Sequence, residues 1–237
     1  MPVGDQIRES VMTSSPNLSK EEAWEDALRW LRRVQINHVD EVARQYPHQL
    51  SGGMCQRVAI AQILALRPEV LIADEPTTGL DATIQASILD LIKDVQTEFN
   101  LSVMLITHDF SVVERLADRI LVLFRGRLLE LGEADAILPP GARLHPYTSN
   151  LLKNVRVLEG AGGEEQIRAI GKQYQQGRPP RIGARQGCNY LPHCPVAAAG
   201  GEALQARCAA DLPPFVALSA GHELRCHAHE ALIPEDF

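Results

Sequence analysis

Apolar residues recur along this chain with two periods, and the changes between them mark out its elements. Residues 19–34 open with Ser19 and Glu22, the pairing of a capping box, and continue with Trp24, Ala27, Leu28, Leu31 and Val34 at helical spacing. An amphipathic helix is expected there. A shorter helical piece around Val39 to Arg44 should end before Tyr46-Pro47, because the residue ahead of a proline is pushed out of the helical region. From Met54 to Leu66 only Gln56, Arg57 and Gln62 interrupt an apolar run that Pro68 closes, which predicts a helix buried on most sides. Val70 to Ala73 and Ser102 to Ile106 then read as short buried parallel strands, the first ending in Asp74-Glu75-Pro76 and the second in Thr107-His108-Asp109. Between them Ile84, Ile88, Leu91, Ile92, Val95 and Phe99 mark another amphipathic helix, and Val112 to Ala117 should add a helical turn or two.

Beyond this point Arg119–Phe124 and Leu128–Leu131 flank Arg125-Gly126-Arg127, a hairpin pattern in which Gly126 supplies the turn. Strands alternating with helices, with polar groups at the strand ends, imply an α/β layer structure whose ligands sit beyond the carboxyl ends of the strands. After about residue 139 the texture changes. Pro139-Pro140-Gly141 precedes a helical segment around Pro146 to Val155, and a Gly- and Gln-rich stretch from Gly160 to Gly183 reads as a linker. No internal repeat is visible.

Composition narrows the function. The 237 residues are 45% hydrophobic, enough for a sizeable core, and the formal net charge is −7. With 30 acidic against 23 basic residues the chain lacks the basic stripe that neutralises nucleic-acid phosphates, so nucleic acid is not the expected partner. No apolar stretch approaches the roughly 18 to 20 residues needed to cross a bilayer, and residues 1–18 lack a secretory core. Of five cysteines, Cys188, Cys194, Cys208 and Cys226 share the last 50 residues, a pattern that in a reducing compartment reads as metal chemistry before disulfides.

The candidate chemistry lies in three places. Leu50-Ser51-Gly52-Gly53 opens a helix, and a helix start carries unpaired N–H groups and about half a positive charge, so an anion can approach over the two glycines while Ser51 adds a hydroxyl. The plainer alternative is an ordinary serine-capped helix. Asp74 and Glu75 end one strand, His108 ends the other, and alone each would read as a surface group.

Taken together, Leu50-Ser-Gly-Gly-Met-Cys-Gln-Arg57, Val70-Leu-Ile-Ala-Asp-Glu-Pro-Thr-Thr-Gly-Leu-Asp81 and Leu105-Ile-Thr-His-Asp109 resemble the signature, Walker B, D-loop and switch histidine of ATP-binding cassette (ABC) ATPases. His145-Pro-Tyr-Thr148 resembles the tail motif of dipeptide, oligopeptide and nickel importer ATPases. The resemblance implies the fold class: α/β, the C-terminal part of a P-loop NTPase domain with its helical subdomain, plus a small cysteine-containing extension. It implies ATP and Mg²⁺ as cofactors, with Ser51, Gly52, Gly53, Gln56 and Asp81 in nucleotide binding, Asp74 toward Mg²⁺, Glu75 polarising the attacking water and His108 sensing the γ-phosphate.

The sequence departs from the family in its nucleotide-binding parts, where the glutamine loop and the adenine-stacking aromatic are missing along with the phosphate cradle. A cradle of the form G-x-x-x-x-G-K-[ST] is absent, and Gly171-Lys172 fails the pattern at both ends. The chain is therefore expected to begin inside the helical subdomain, with residues 1–68 as the signature subdomain, 69–138 as the Walker B and switch part of the core, 139–183 as tail helix and linker, and 184–237 as the cysteine-bearing extension. Alone it should bind ATP weakly and be inactive, and it should leave apolar sheet edge and helix face exposed. The implied partners are a second ABC ATPase subunit and membrane permease subunits, with the chain cytoplasmic and peripheral on the inner face of the membrane, powering uptake of peptides or similar solutes. Two alternatives are a catalytically inactive regulatory or metal-binding fragment and a soluble ABC ATPase outside transport.

In the tail, four thiols can hold zinc or a four-iron four-sulfur cluster, or no metal, and the spacing alone does not choose. Gly187-Cys-Asn-Tyr-Leu-Pro-His-Cys194, followed by Cys208 and by Gly221-His-Glu-Leu-Arg-Cys226, resembles the tail of peptide-importer ATPases, in some of which four cysteines ligate an iron-sulfur cluster.

Overall fold

The computed structural model describes residues 1–156 and 186–232. The expected linker from Gly160 to Gly183 lies outside the described residues. Backbone contacts divide the chain into two compact units, Met1–Val112 and Val113–Phe237.

The first unit is built on helices. α1 (Val3–Ser14), which the apolar pattern did not announce, buries Val3, Ile7 and Val11 on one stripe. It packs against α2 (Lys20–Arg33), where the expected capping box forms: Glu22 N–H donates to Ser19 Oγ at 3.2 Å and Ser19 N–H to Glu22 Oε2 at 2.8 Å. The two helices approach closely at Gly4, where an added Cβ would lie 2.8 Å from the Trp24 ring. A short α3 (Val39–Val42) leads through a 3₁₀ turn (Pro47–Gln49) to α4 (Gly52–Leu64). One core joins Ile7, Leu31, Ala61 and Leu64 to Ile88, Leu91 and Val95 of α5 (Ala82–Phe99). Their apolar faces meet because each repeats every three to four residues.

β1 (Val70–Asp74) and β2 (Ser102–Ile106) pair in parallel, with Asp74 opposite Ile106, flanking α5 as a strand-helix-strand unit. The expectation of fully buried strands is corrected here. Only one face of the pair is covered. Val70, Ile72, Met104 and Ile106 point the other way and are exposed, Ile72 to 62%. Parallel strands ordinarily have both faces covered, so four bare apolar side chains on this pair are a departure with consequences for association. The helix expected to be buried on most sides, α4, leaves Ile63 exposed, and Leu66 just beyond it is exposed as well.

α6 (Phe110–Leu116) crosses from one unit to the next. The second unit holds the expected hairpin, β3 (Arg119–Phe124) and β4 (Arg127–Glu133), turning at Gly126 with φ +75°. α7 (Ala134–Ile137) and α8 (Pro146–Arg156) follow. The cysteine-bearing segment contributes β5 (Val216–Ser219) and β6 (His222–Leu224), and the sheet order is β3-β4-β6-β5, all antiparallel. The same segment carries two short helices, Pro195–Ala199 and Gly201–Ala210.

Candidate functional site

The carboxyl end of β1 continues into Glu75, whose φ of +46° lies in the left-handed region that non-glycine residues rarely adopt. This backbone is fixed from outside: Glu75 N–H donates to the Ile106 carbonyl at 2.8 Å, extending the β1–β2 pairing by one residue. The turn presents the carboxylate to two donors, Thr78 Oγ1 on Oε2 at 2.8 Å and His108 Nδ1 on Oε1 at 2.9 Å. The Thr78 hydroxyl first, and the His108 bond next, hold the Glu75 carboxyl below its usual range, so it is ionised at neutral pH. Both members of the pair are open to water, the His108 side chain 76% and the Glu75 side chain 45% exposed. A fixed anionic oxygen with solvent access can polarise a water molecule. Asp74 is exposed at the last position of β1.

His108 is followed by Asp109, which sequence reasoning left without a role. Its Oδ1 accepts from Ser111 N–H at 3.0 Å and Ser111 Oγ at 2.7 Å, and its Oδ2 accepts from Gln85 Nε2 at 2.7 Å, so it ties the switch turn to α5. These bonds, Ser111's first, lower its carboxyl pKa despite partial burial.

The signature residues stand at the start of α4. Ser51 is the exposed N-cap, and its Oγ accepts from Met54 N–H at 3.3 Å. Gly52 is exposed, Gln56 half-buried. Gly53 is buried, and an added Cβ would sit 2.6 Å from Ile84 Cγ2. At this position the glycine therefore serves a close approach of α4 to α5 within the chain. Asp81 caps α5: its Oδ1 accepts from Thr83 N–H at 3.1 Å and Ile84 N–H at 3.0 Å. The Asp81–Ile84 turn and the start of α4 are thus packed as one corner. Arg57, the last signature residue, braces that corner, donating to the Val34 carbonyl at 2.6 Å and to Ser87 Oγ at 2.5 Å. Its bracing role was not read from the sequence, where it stood as the end of the signature motif and an interruption of an apolar run.

All five cysteines are free thiols. Cys188, Cys194 and Cys208 pack around Tyr190, while Cys226 packs with Leu224 and Val196. Ala197 N–H points at Cys194 Sγ at 3.4 Å. Burial raises the Cys226 thiol to about 12, with further repulsion from Cys194, Cys188 and Cys208, and burial is also the first cause of the rise at Cys194 and Cys208. The four thiols therefore lie within electrostatic reach of one another. Among the described residues no three His, Cys, Asp or Glu side chains could hold a metal ion. Tetrahedral zinc, with sulfurs about 2.3 Å from the metal, accordingly finds no preformed set.

Residues 4–78 match the family model described as ABC transporter. Among solved structures the chain is similar to the dimeric, post-hydrolysis ATP-binding cassette MJ0796 bound to ADP and Pi, with 30% identity and a TM-score of 0.50 over 56% of each chain. A second dimeric structure of the same cassette gives 31% identity and a TM-score of 0.50, again over 56% of each chain. The matched part of this chain thus has the fold of an ABC-type ATPase.

Among curated proteins it is 38% identical to the oligopeptide transport ATP-binding protein AppD of Bacillus subtilis, over 97% of this chain and 65% of the relative. It is 39% identical to the oligopeptide transport ATP-binding protein OppD of Salmonella typhimurium, over 95% of this chain and 62% of the relative. A third likeness, 50% over 68% of this chain and 25% of the relative, is to the glutathione import ATP-binding protein GsiA of Escherichia coli K12. The chain spans less than two thirds of the length of these relatives. Among the described residues no helix is long and apolar enough to cross a membrane.

Proposed function

We propose that this chain acts in an ATP-hydrolysing assembly that drives import of peptides or similar small solutes through a separate permease, docked peripherally on the membrane with a second ATPase subunit. The carrying observation is the ionised, solvent-open Glu75 held 2.9 Å from His108 at the carboxyl end of a parallel strand pair. That is where open α/β sheets place their ligands. In this reading Glu75 orients and polarises the attacking water, and His108 holds Glu75 and meets the γ-phosphate. Asp74, an exposed strand-end carboxylate, suits Mg²⁺, which takes one or two carboxylates and keeps waters. Mg²⁺, when bound, supplies charge neutralisation for the transferred phosphoryl group.

Ser51, Gly52 and Gln56 at the exposed start of α4 would meet the phosphates of a nucleotide seated on a facing subunit, with Gly53 and Asp81 shaping that corner. The relatives' names support peptide or glutathione-like cargo. The test is ATP turnover by the chain alone and by the chain co-expressed with its permease and a second ATPase subunit. Turnover should appear only in the assembly, and Glu75→Gln should lower it by roughly 10²–10³-fold, as for loss of a general base. Tight ATP binding by the chain alone, or an unaffected Glu75→Gln assembly, overturns the reading.

For the tail the reading is that Cys188, Cys194, Cys208 and Cys226 act together as ligands of an iron-sulfur cluster. Four free, mutually interacting thiols in an apolar setting with a backbone N–H on one sulfur support it. A cluster is several atoms wide and spreads its thiolates farther apart than a single ion does, so the lack of a one-ion set is compatible with it. Iron and sulfide content after anaerobic purification decides the matter, and a metal-free, colourless protein removes the cluster.

A further inference from the structure

The His145-Pro-Tyr-Thr148 turn at the start of α8 reaches in two directions. Its backbone is seated on a fully buried carboxylate: His145 N–H lies 3.1 Å from Glu130 Oε1 and 3.2 Å from Oε2. His222 Nε2 completes the seat, 2.8 Å from Glu130 Oε1. The His145 ring accepts from Tyr147 N–H at Nδ1, 3.0 Å away, which puts its proton on the other nitrogen, and the ring bonds the backbone of Arg225. Arg225 immediately precedes Cys226, and its own N–H donates to the Leu129 carbonyl at 2.8 Å. One arm of the turn therefore fixes the strand end that delivers Cys226.

The other arm is aromatic. The Tyr147 ring lies 4.7 Å from that of Phe124 and 5.4 Å from that of Tyr190. Tyr190 sits inside the tight turn that carries two of the thiols: Leu191 N–H donates to the Cys188 carbonyl and Cys194 N–H to the Leu191 carbonyl, each at 3.2 Å. Cys188 N–H in turn donates to the Cys208 carbonyl at 2.8 Å, so the third thiol travels with the first two.

We propose that His145 and Tyr147 are positioning residues for the four-cysteine set, with His145 fixing Cys226, Tyr147 fixing the Cys188–Cys194 turn, and Glu130 anchoring both arms. The assignment rests on reading the four thiols as one ligand set. Between Cys194, Cys208 and Cys226 lie 13 and 17 intervening residues, and the segments that carry the thiols are held by short elements. Their separations must therefore be imposed by contacts from elsewhere, and this turn touches both halves.

The test is site-resolved alkylation of the reduced full chain by iodoacetamide, read by mass spectrometry. His145→Asn keeps an acceptor for Tyr147 N–H but loses the bond to Arg225. Loss of one such bond should speed alkylation of Cys226 by roughly tenfold and leave the other three within about twofold. Tyr147→Leu should give the opposite pattern, with Cys188 and Cys194 faster and Cys226 unchanged, and Tyr147→Phe should restore the original rates. An equal rise at all four thiols, or none, overturns the assignment and marks the turn as general structural support. The thiol pattern decides the positioning role whether or not iron loads. Iron retained after reconstitution with ferrous iron and sulfide, beside an unselective alkylation pattern, would sink this assignment alone. Selective alkylation in a chain that takes up no iron would sink the cluster alone.

Discussion

Two carboxylate–histidine pairs of this protein have nearly the same separation and opposite surroundings. Glu75 and His108 are 2.9 Å apart with both side chains open to solvent, whereas Glu130 and His222 are 2.8 Å apart with side-chain exposures of 0% and 4%. An exposed ion pair contributes little to stability, but its oxygens remain available to water and ligand. A buried carboxylate is tolerated only if its lone pairs are satisfied, and Glu130 is satisfied twice over, by His145 N–H and by His222. The same two residue types thus make a site fit for chemistry in one unit and a structural anchor in the other. Burial, and not the pair itself, sets the difference.

The contrast is broken most severely at Glu130. Glu130→Ala leaves His222 and the His145 N–H buried without an acceptor, and should destabilise the second unit by about 3–5 kcal/mol, read as a shift of its urea midpoint. An unshifted midpoint would show that water or another donor set replaces the carboxylate.

Acidification probes the same anchor from the histidine side. Burial lowers the His145 pKa from 6.5 to about 4. The unfolded chain therefore takes up a proton before the folded one does, and the neutral ring's contribution is present above the unfolded value of 6.5 and is lost as pH falls toward 4. Between pH 7 and 5 the loss should be on the order of 2 kcal/mol, and it should be absent in His145→Asn. Denaturant titrations at the two pH values check this.

Asp81→Ala removes the cap of α5 and should cost about 1 kcal/mol of first-unit stability, with Asp81→Asn recovering most of it. A change confined to ATP turnover would instead mark Asp81 as a contact between subunits. The smallest stability effect belongs to Glu75→Gln, whose pair is already hydrated: its melting midpoint should match the parent while turnover in the assembly falls. A large melting shift would mean that the left-handed turn at Glu75 depends on the carboxylate.

Legibility in the sequence followed the range of the interactions. The capping box of α2 and the turn at Gly126 rest on contacts a few residues apart, and the strand-helix-strand order from Val70 to Ile106 shows in the apolar period of each element, so their patterns were plain. α1 was missed because its stripe of Val3, Ile7 and Val11 is thin and its other apolar partners come from α2 and α4. β5 and β6 are four and three residues long, too short for alternation to register, and β6 is ordered by its pairing with β4, about 90 residues earlier. At the candidate site, Asp74, Glu75, His108 and Ser51 stood out by motif. Thr78, Arg57 and Asp109, which hold or brace that site, lay inside the same motifs but carried no assigned role, since a supporting hydrogen bond leaves no periodic trace.

By itself the sequence determined which groups are candidates for chemistry and where the local elements begin, because residue type, capping and apolar period are properties of neighbouring residues. Only the tertiary structure decided that one face of the β1–β2 pair stays bare, that Gly53 makes room for Ile84, and that Glu130 is sealed inside while Glu75 is not. Burial and close approach are set by segments distant along the chain, and no local pattern encodes which of two similar carboxylates a remote strand will cover.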